Sequence, residues 1–192
     1  MCGRYLVDDD AADTIEMWMN SLTGGLPNYT TGEVFPTNIA AVLTQNGPEA
    51  VKWGFPHWQN SSVIINARSE TALNSNMFRK PLQNQRCVIP SSGFYEWSAV
   101  PGTKKKDKHL LRITEDEMLF MAGMYNTFHD KNGNEYSAFV ILTTDAHESI
   151  AHIHNRMPLL LLHDENDLWL GDNSFMEFAL NRPGPELISK LV

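Results

Sequence analysis

The chain has 192 residues, 42% of them apolar and 20% charged, with a formal net charge of -8. That length and composition suit a single globular domain over residues 1–192, and no apolar run reaches the roughly 18 to 20 residues needed to cross a bilayer. The acidic balance excludes a protein that coats nucleic acid indiscriminately, but a local basic groove built from Arg4, Lys52, Arg68, Arg79, Lys80 and Arg156 remains open. Only Cys2 and Cys87 are present, too few for a disulfide framework, and both are expected reduced. The start lacks a secretory pattern, so a place in the cytoplasm is expected; no membrane partner and a monomeric state are expected as well.

The chain opens Met1-Cys2-Gly3-Arg4-Tyr5. An initiator methionine is generally removed when a small residue follows, which would leave Cys2 with a free α-amine and a thiol on adjacent carbons. The amine's reference pKa is about 7.7 to 8.0 and the thiol's about 8.5, the latter falling beside a positive charge such as Arg4. Such an aminothiol has two uses. The thiol attacks an amide carbonyl with its own amine as base, or the amine condenses with an aldehyde and the thiol closes the imine into a thiazolidine. Cys2 as merely a small second residue is the third reading.

Asp9 and Asp10 can cap a helix carrying Ile15, Trp18, Met19 and Leu22 at helical spacing, stopped by Gly24, Gly25 and Pro27. Residues 34–44, interrupted by Pro36, and 49–55 read as a hairpin turning at Asn46-Gly47-Pro48. The stretch 53–60 holds Trp53 and Trp58, either core residues or loop aromatics able to stack bases. A short strand at 63–65 ends at Asn66, and a helix is expected over 70–77. Residues 87–90 and 93–97 read as one strand system, in which Phe94 and Glu96 point one way and Tyr95 and Trp97 the other. Segments 109–114, 118–128 and 137–144 read as a β-meander with its last turn at Asp130–Asn134. Helical spacing over 145–153, an apolar strand at 159–162, short helices near 164–170 and 174–180 and a Pro-Gly-Pro tail complete the chain. The expected class is α+β, strand-dominated, with a curved antiparallel or barrel-like β core and peripheral short helices.

Asn66, Glu96 and His154 each stand where an apolar segment gives way to a polar cluster. Glu96, flanked by Phe94, Tyr95 and Trp97, is either a partly desolvated general acid-base or a strand residue facing solvent. His147, His152, His154 and His163 lack the spacing of a zinc site, so no metal and no cofactor is expected.

Four segments, Cys2-Gly3-Arg4-Tyr5, Asn66-Ala67-Arg68-Ser69-Glu70, Gly93-Phe94-Tyr95-Glu96-Trp97 and His154-Asn155-Arg156-Met157-Pro158, resemble in order and spacing the SOS-response-associated peptidase (SRAP) family. The resemblance implies a DNA-damage protein that senses and shields abasic sites in single-stranded DNA through a covalent thiazolidine crosslink. By it, Cys2 supplies amine and thiol after Met1 removal, Asn66 orients the cysteine and the opened sugar, Glu96 moves protons, and His154 assists sugar opening and the reverse release. Arg68 and Arg156 match phosphate-gripping positions, with Arg4, Trp53 and Thr143 lining the DNA channel. The family name adds a self-processing peptidase activity. The segment Glu33-Val34-Phe35-Pro36-Thr37-Asn38 departs from the family pattern. The alternative is an N-terminal-nucleophile cysteine amidohydrolase, since glutamine amidotransferases also begin Met-Cys-Gly.

Overall fold

The structure, a computed structural model, describes residues 2–23, 28–115 and 117–192. The expected helix stop at Gly24, Gly25 and Pro27, the side chains of Met19 and Leu22, and the question of Met1 lie outside what is described.

In chain order, β1 (Tyr5–Val7) leads into α1 (Asp9–Thr23), followed by β2 (Gly32–Val34), β3 (Ile39–Thr44) and β4 (Gly47–Trp53). Two short strands, β5 (Phe55–Pro56) and β6 (Val63–Ile64), pair with each other ahead of β7 (Asn66–Arg68), α2 (Ser69–Ala72) and α3 (Arg79–Asn84). Then come β8 (Arg86–Ser91), β9 (Gly93–Ala99), β10 (Lys106–Arg112), β11 (Leu119–His129) and β12 (Glu135–Asp145). The chain continues through β13 (Arg156–Pro158), β14 (Leu160–Leu161), α4 (Asn166–Gly171), α5 (Asn173–Asn181) and β15 (Ile188–Leu191).

Five strands close on themselves. β3 pairs antiparallel with β4 and β8, β8 with β11 and β11 with β12, and β12 returns to β4 in parallel register at Ala138↔Lys52 and Phe139↔Trp53. A second sheet, in the order β15-β10-β9-β1-β2, packs beside this barrel. The barrel strands are buried on both faces, so β12 reads as an unbroken apolar run. Phe139 and Ile141 join Tyr5, Phe94 and Leu111 of the second sheet in one buried cluster. Ala138, Val140 and Leu142 pack with Trp169, Met176 and Leu180 of α4 and α5 in another. This is the strand-dominated α+β architecture expected, with short helices at the periphery. No helix among the described residues is long and apolar enough to cross a membrane.

Several local expectations give way to tertiary pairing. Helix α1 is capped by Asp8, whose Oδ1 accepts from Ala11 N at 3.1 Å, one residue earlier than the expected Asp9. β8 and β9 belong to different sheets rather than one strand system, and the chain crosses between them at Ser92. β10 leaves the expected meander to pair with β9 and β15, so only β11 and β12 form the hairpin. Residues 145–153 form successive turns rather than a helix, with Ile150 N and Ala151 N both donating to His147 O. The helix expected over 70–77 is only α2, and the Pro-Gly-Pro tail is followed by an edge strand, β15, on β10.

Candidate active site

Cys2 precedes β1, which is zipped to β9 by the pairing Tyr5↔Phe94 and by Tyr95 N donating to Arg4 O at 2.9 Å. That register leaves Cys2 at the end of β1 towards which β9 carries Glu96. Cys2 is fully buried; its Sγ donates to Arg4 O at 3.7 Å, and its carbonyl accepts from Asn66 Nδ2 at 2.9 Å. Asn66 begins β7, which lies parallel on β12 with Asn66↔Ile141 and Arg68↔Thr143. Glu96 is buried, on the same face of β9 as Phe94. His154 precedes β13, another strand on β12, and its Nδ1 lies 3.0 Å from Arg156 N and 3.2 Å from Arg156 O. Its chain neighbours Ile153 and Met157 belong to the same buried cluster as Cys2.

Burial, and after it the Glu96 carboxylate, pushes the Cys2 thiol far above its ordinary range. Burial thus favours the protonated Cys2 thiol over its thiolate. Burial also raises the Tyr5 phenol, with Cys2 and Cys87 adding to it. The Tyr5 ring leans on Trp53 at 5.2 Å between centroids. Among the described residues no group of three or more His, Cys, Asp and Glu side chains is arranged to hold a metal.

The family described as SOS response associated peptidase (SRAP) matches residues 1–184. The chain belongs to the SRAP family. It is 33% identical over 183 residues to the abasic site processing protein YoaM of Bacillus subtilis (strain 168), covering 88% of this chain and 79% of that one. It is 28% identical over 180 residues to the abasic site processing protein YedK of Escherichia coli (strain K12), again covering 88% and 79%. Among solved structures, a protein from Bacteroides thetaiotaomicron superposes with a TM-score of 0.81 at 21% identity over 100% of this chain and 92% of the other. A Bordetella bronchiseptica protein superposes at 0.79 and 21%, covering 100% and 99%. At that identity the likeness is one of fold.

Within this SRAP fold the side chains named for DNA contact divide sharply. Arg68 is exposed and makes no ion pair among the described residues, and Arg4 is partly exposed beside Cys2. Three others are buried. Trp53 is 0% exposed, stacked on Phe139, with Nε1 donating to Ile65 O at 3.0 Å; it is a strut under Tyr5, and Trp58, 78% exposed, is the ring its stretch offers to solvent. Thr143 is fully buried, its hydroxyl turned to Ala67 O at 3.4 Å. Arg156 is buried and its terminal nitrogens are paired: Nη1 meets Glu70 at 2.6 Å and Asp145 at 2.7 Å, and Nη2 donates to Thr143 O at 2.6 Å. It braces α2 against β12 and β13.

Sequence reasoning also missed residues around Arg4. Its guanidinium lies over Phe35 at 4.2 Å and over Trp97 at 5.0 Å, and pairs with Glu33, which also holds Lys108. Trp97 was signalled by its alternation with Glu96. Lys108 was hidden in the lysine-rich segment 104–108, which resembles a solvated turn until β10 pairs with β9.

Proposed function

We propose that the chain senses and shields abasic sites in single-stranded DNA by forming a covalent thiazolidine crosslink through Cys2 after Met1 is removed. The observation that carries this reading is the environment of Cys2: the residue is fully buried, and Asn66 Nδ2 anchors its carbonyl at 2.9 Å. The names of the curated relatives YoaM and YedK, both abasic site processing proteins, support it.

The chemistry follows from those positions. An abasic sugar is mostly a closed hemiacetal, so His154 and Glu96 are assigned the proton transfers that open it to the aldehyde, a contribution of about 10²- to 10⁴-fold. The Cys2 amine adds to the aldehyde carbon and water leaves, giving an imine. The Cys2 sulfur then adds to that carbon as its proton passes, by way of Glu96, to the nitrogen, closing the ring with no redox change. In this order the amine acts first and a neutral thiol suffices. The family name's peptidase activity is confined in this reading to release of Met1, without which the amine is tied up in a peptide bond. Arg68 and Arg4 contact phosphates, so binding is salt-sensitive and nearly indifferent to sequence.

Incubation with single-stranded DNA bearing one abasic site, followed by denaturing electrophoresis, tests the reading. A covalent band is expected with the wild type and none with Cys2→Ala; an equal band in both sinks it.

A further inference from the structure

Arg4 and Lys108 share a single carboxylate. Glu33 Oε2 lies 3.0 Å from Arg4 Nη1, and Oε1 pairs with Lys108 Nζ. The three side chains are 29%, 33% and 24% exposed for Arg4, Glu33 and Lys108, enough for a ligand to reach and too little for free motion.

The register of the second sheet explains the grouping. Leu6 faces Glu33 across β1 and β2, and Trp97 faces Lys108 across β9 and β10, while Phe94 and Leu111 of the same strands turn to the core. Each cation is also held by a ring: Arg4 lies between Phe35 and Trp97, and Lys108 sits 3.9 Å above the Tyr95 ring. Hydrogen bonding from Lys108, and then the charges of Lys108 and Arg4, hold Glu33 below the usual carboxylate range, so it stays ionised at neutral pH. Two fixed cations converge on one anion, and one of them, Arg4, is two residues along the chain from Cys2.

We propose that Glu33 is a built-in phosphate surrogate, which holds Arg4 and Lys108 as a two-pronged clamp that a phosphodiester of the bound strand takes over by displacing the carboxylate. For the identity of that strand the inference rests on the function proposed above. Glu33 gives one oxygen to Arg4 and the other to Lys108, and two oxygens of one phosphate can take the same two places. The side-chain ordering that a clamp requires is already complete in the free protein. The carboxylate also competes with the strand, and it sets affinity below what the two cations alone would give.

The test is the affinity of the full chain for undamaged oligothymidylate, read by fluorescence anisotropy across a potassium chloride series. Glu33→Gln removes the competing charge and keeps the shape. It is expected to tighten binding by about fivefold at 0.1 M salt and to steepen the slope of log K against log salt by about 0.7, the value for one single-strand phosphate contact. Lys108→Met in the Glu33→Gln background is expected to abolish that gain, and Lys108→Met alone to weaken the wild type by a similar factor. Unchanged or weaker binding by Glu33→Gln, or full affinity in Lys108→Met, overturns the clamp. Because the probe carries no abasic site, the two readings fail separately: absence of a Cys2-dependent crosslink sinks the proposed function, whereas a normal crosslink with unaltered affinity in Glu33→Gln sinks the clamp alone.

Discussion

At the scale of single residues, Cys2 is held through its backbone, leaving its reacting atoms uncommitted to Asn66. Asn66→Ala removes the bond to the Cys2 carbonyl, at a stability cost of about 1 kcal/mol. A cysteine released by about 1 Å reacts far less often in a productive geometry, so single-turnover crosslinking should slow by about 10- to 100-fold; an unchanged rate would remove Asn66 from the site. The two tryptophans of 53–60 separate in the same way. Trp53→Ala, in a core with Tyr5 and Phe139, should cost about 3 to 5 kcal/mol by urea denaturation. Trp58→Ala should stay within about 0.5 kcal/mol of the wild type. The sequence could not rank them, because a Gly- and Pro-containing stretch has no period to say which ring turns inward. Arg156 was illegible for a different reason: Glu70 lies 86 residues away, and Asp145 comes opposite only through the β12 and β13 register.

At the scale of elements, features with a local cause were legible and those set by distant pairing were not. The turn between β11 and β12 follows from Asp130, whose Oδ1 accepts from Asn132 N and Asn134 N, and from Gly133 at φ +83°. The edge strand β15 has no such local signal, since its place depends on β10. Barrel closure has one tight point. At Gly123 of β11, a Cβ would come within 2.5 Å of Ile89 Cδ1 and 2.8 Å of Val140 O, so the sheet accepts nothing larger there. Gly123→Ala should therefore destabilise the protein by about 1 to 3 kcal/mol, visible as a lowered melting temperature. A neutral effect would mean that the strands β8, β11 and β12 are less tightly closed than described.

At the scale of the whole molecule, charge pairing defines a pH window. Asp8, Glu33, Glu70 and Glu165 all have folded pKa values below their ordinary ones, through hydrogen bonds and neighbouring cations that outweigh partial burial. A depressed folded pKa means that the unfolded chain takes up protons first, so this stability is complete above about pH 5 and lost as pH falls below about 4. Buried Cys2, Cys87 and Tyr5 shift the other way: the unfolded chain loses their protons first, and stability declines as pH rises past about 8.5. Urea midpoints should form a plateau between these limits, and Glu165→Gln, which breaks the pair with Arg182, should flatten the acid limb. The central claim is that Cys2, freed of Met1, is the atom set that captures the sugar. Digestion of the crosslinked complex with nuclease and trypsin, followed by mass spectrometry, tests it most directly. The sugar remnant is expected on a peptide running from Cys2 to Arg4 with no methionine before it. A remnant on a lysine, or on a peptide that still begins with Met1, would contradict the account.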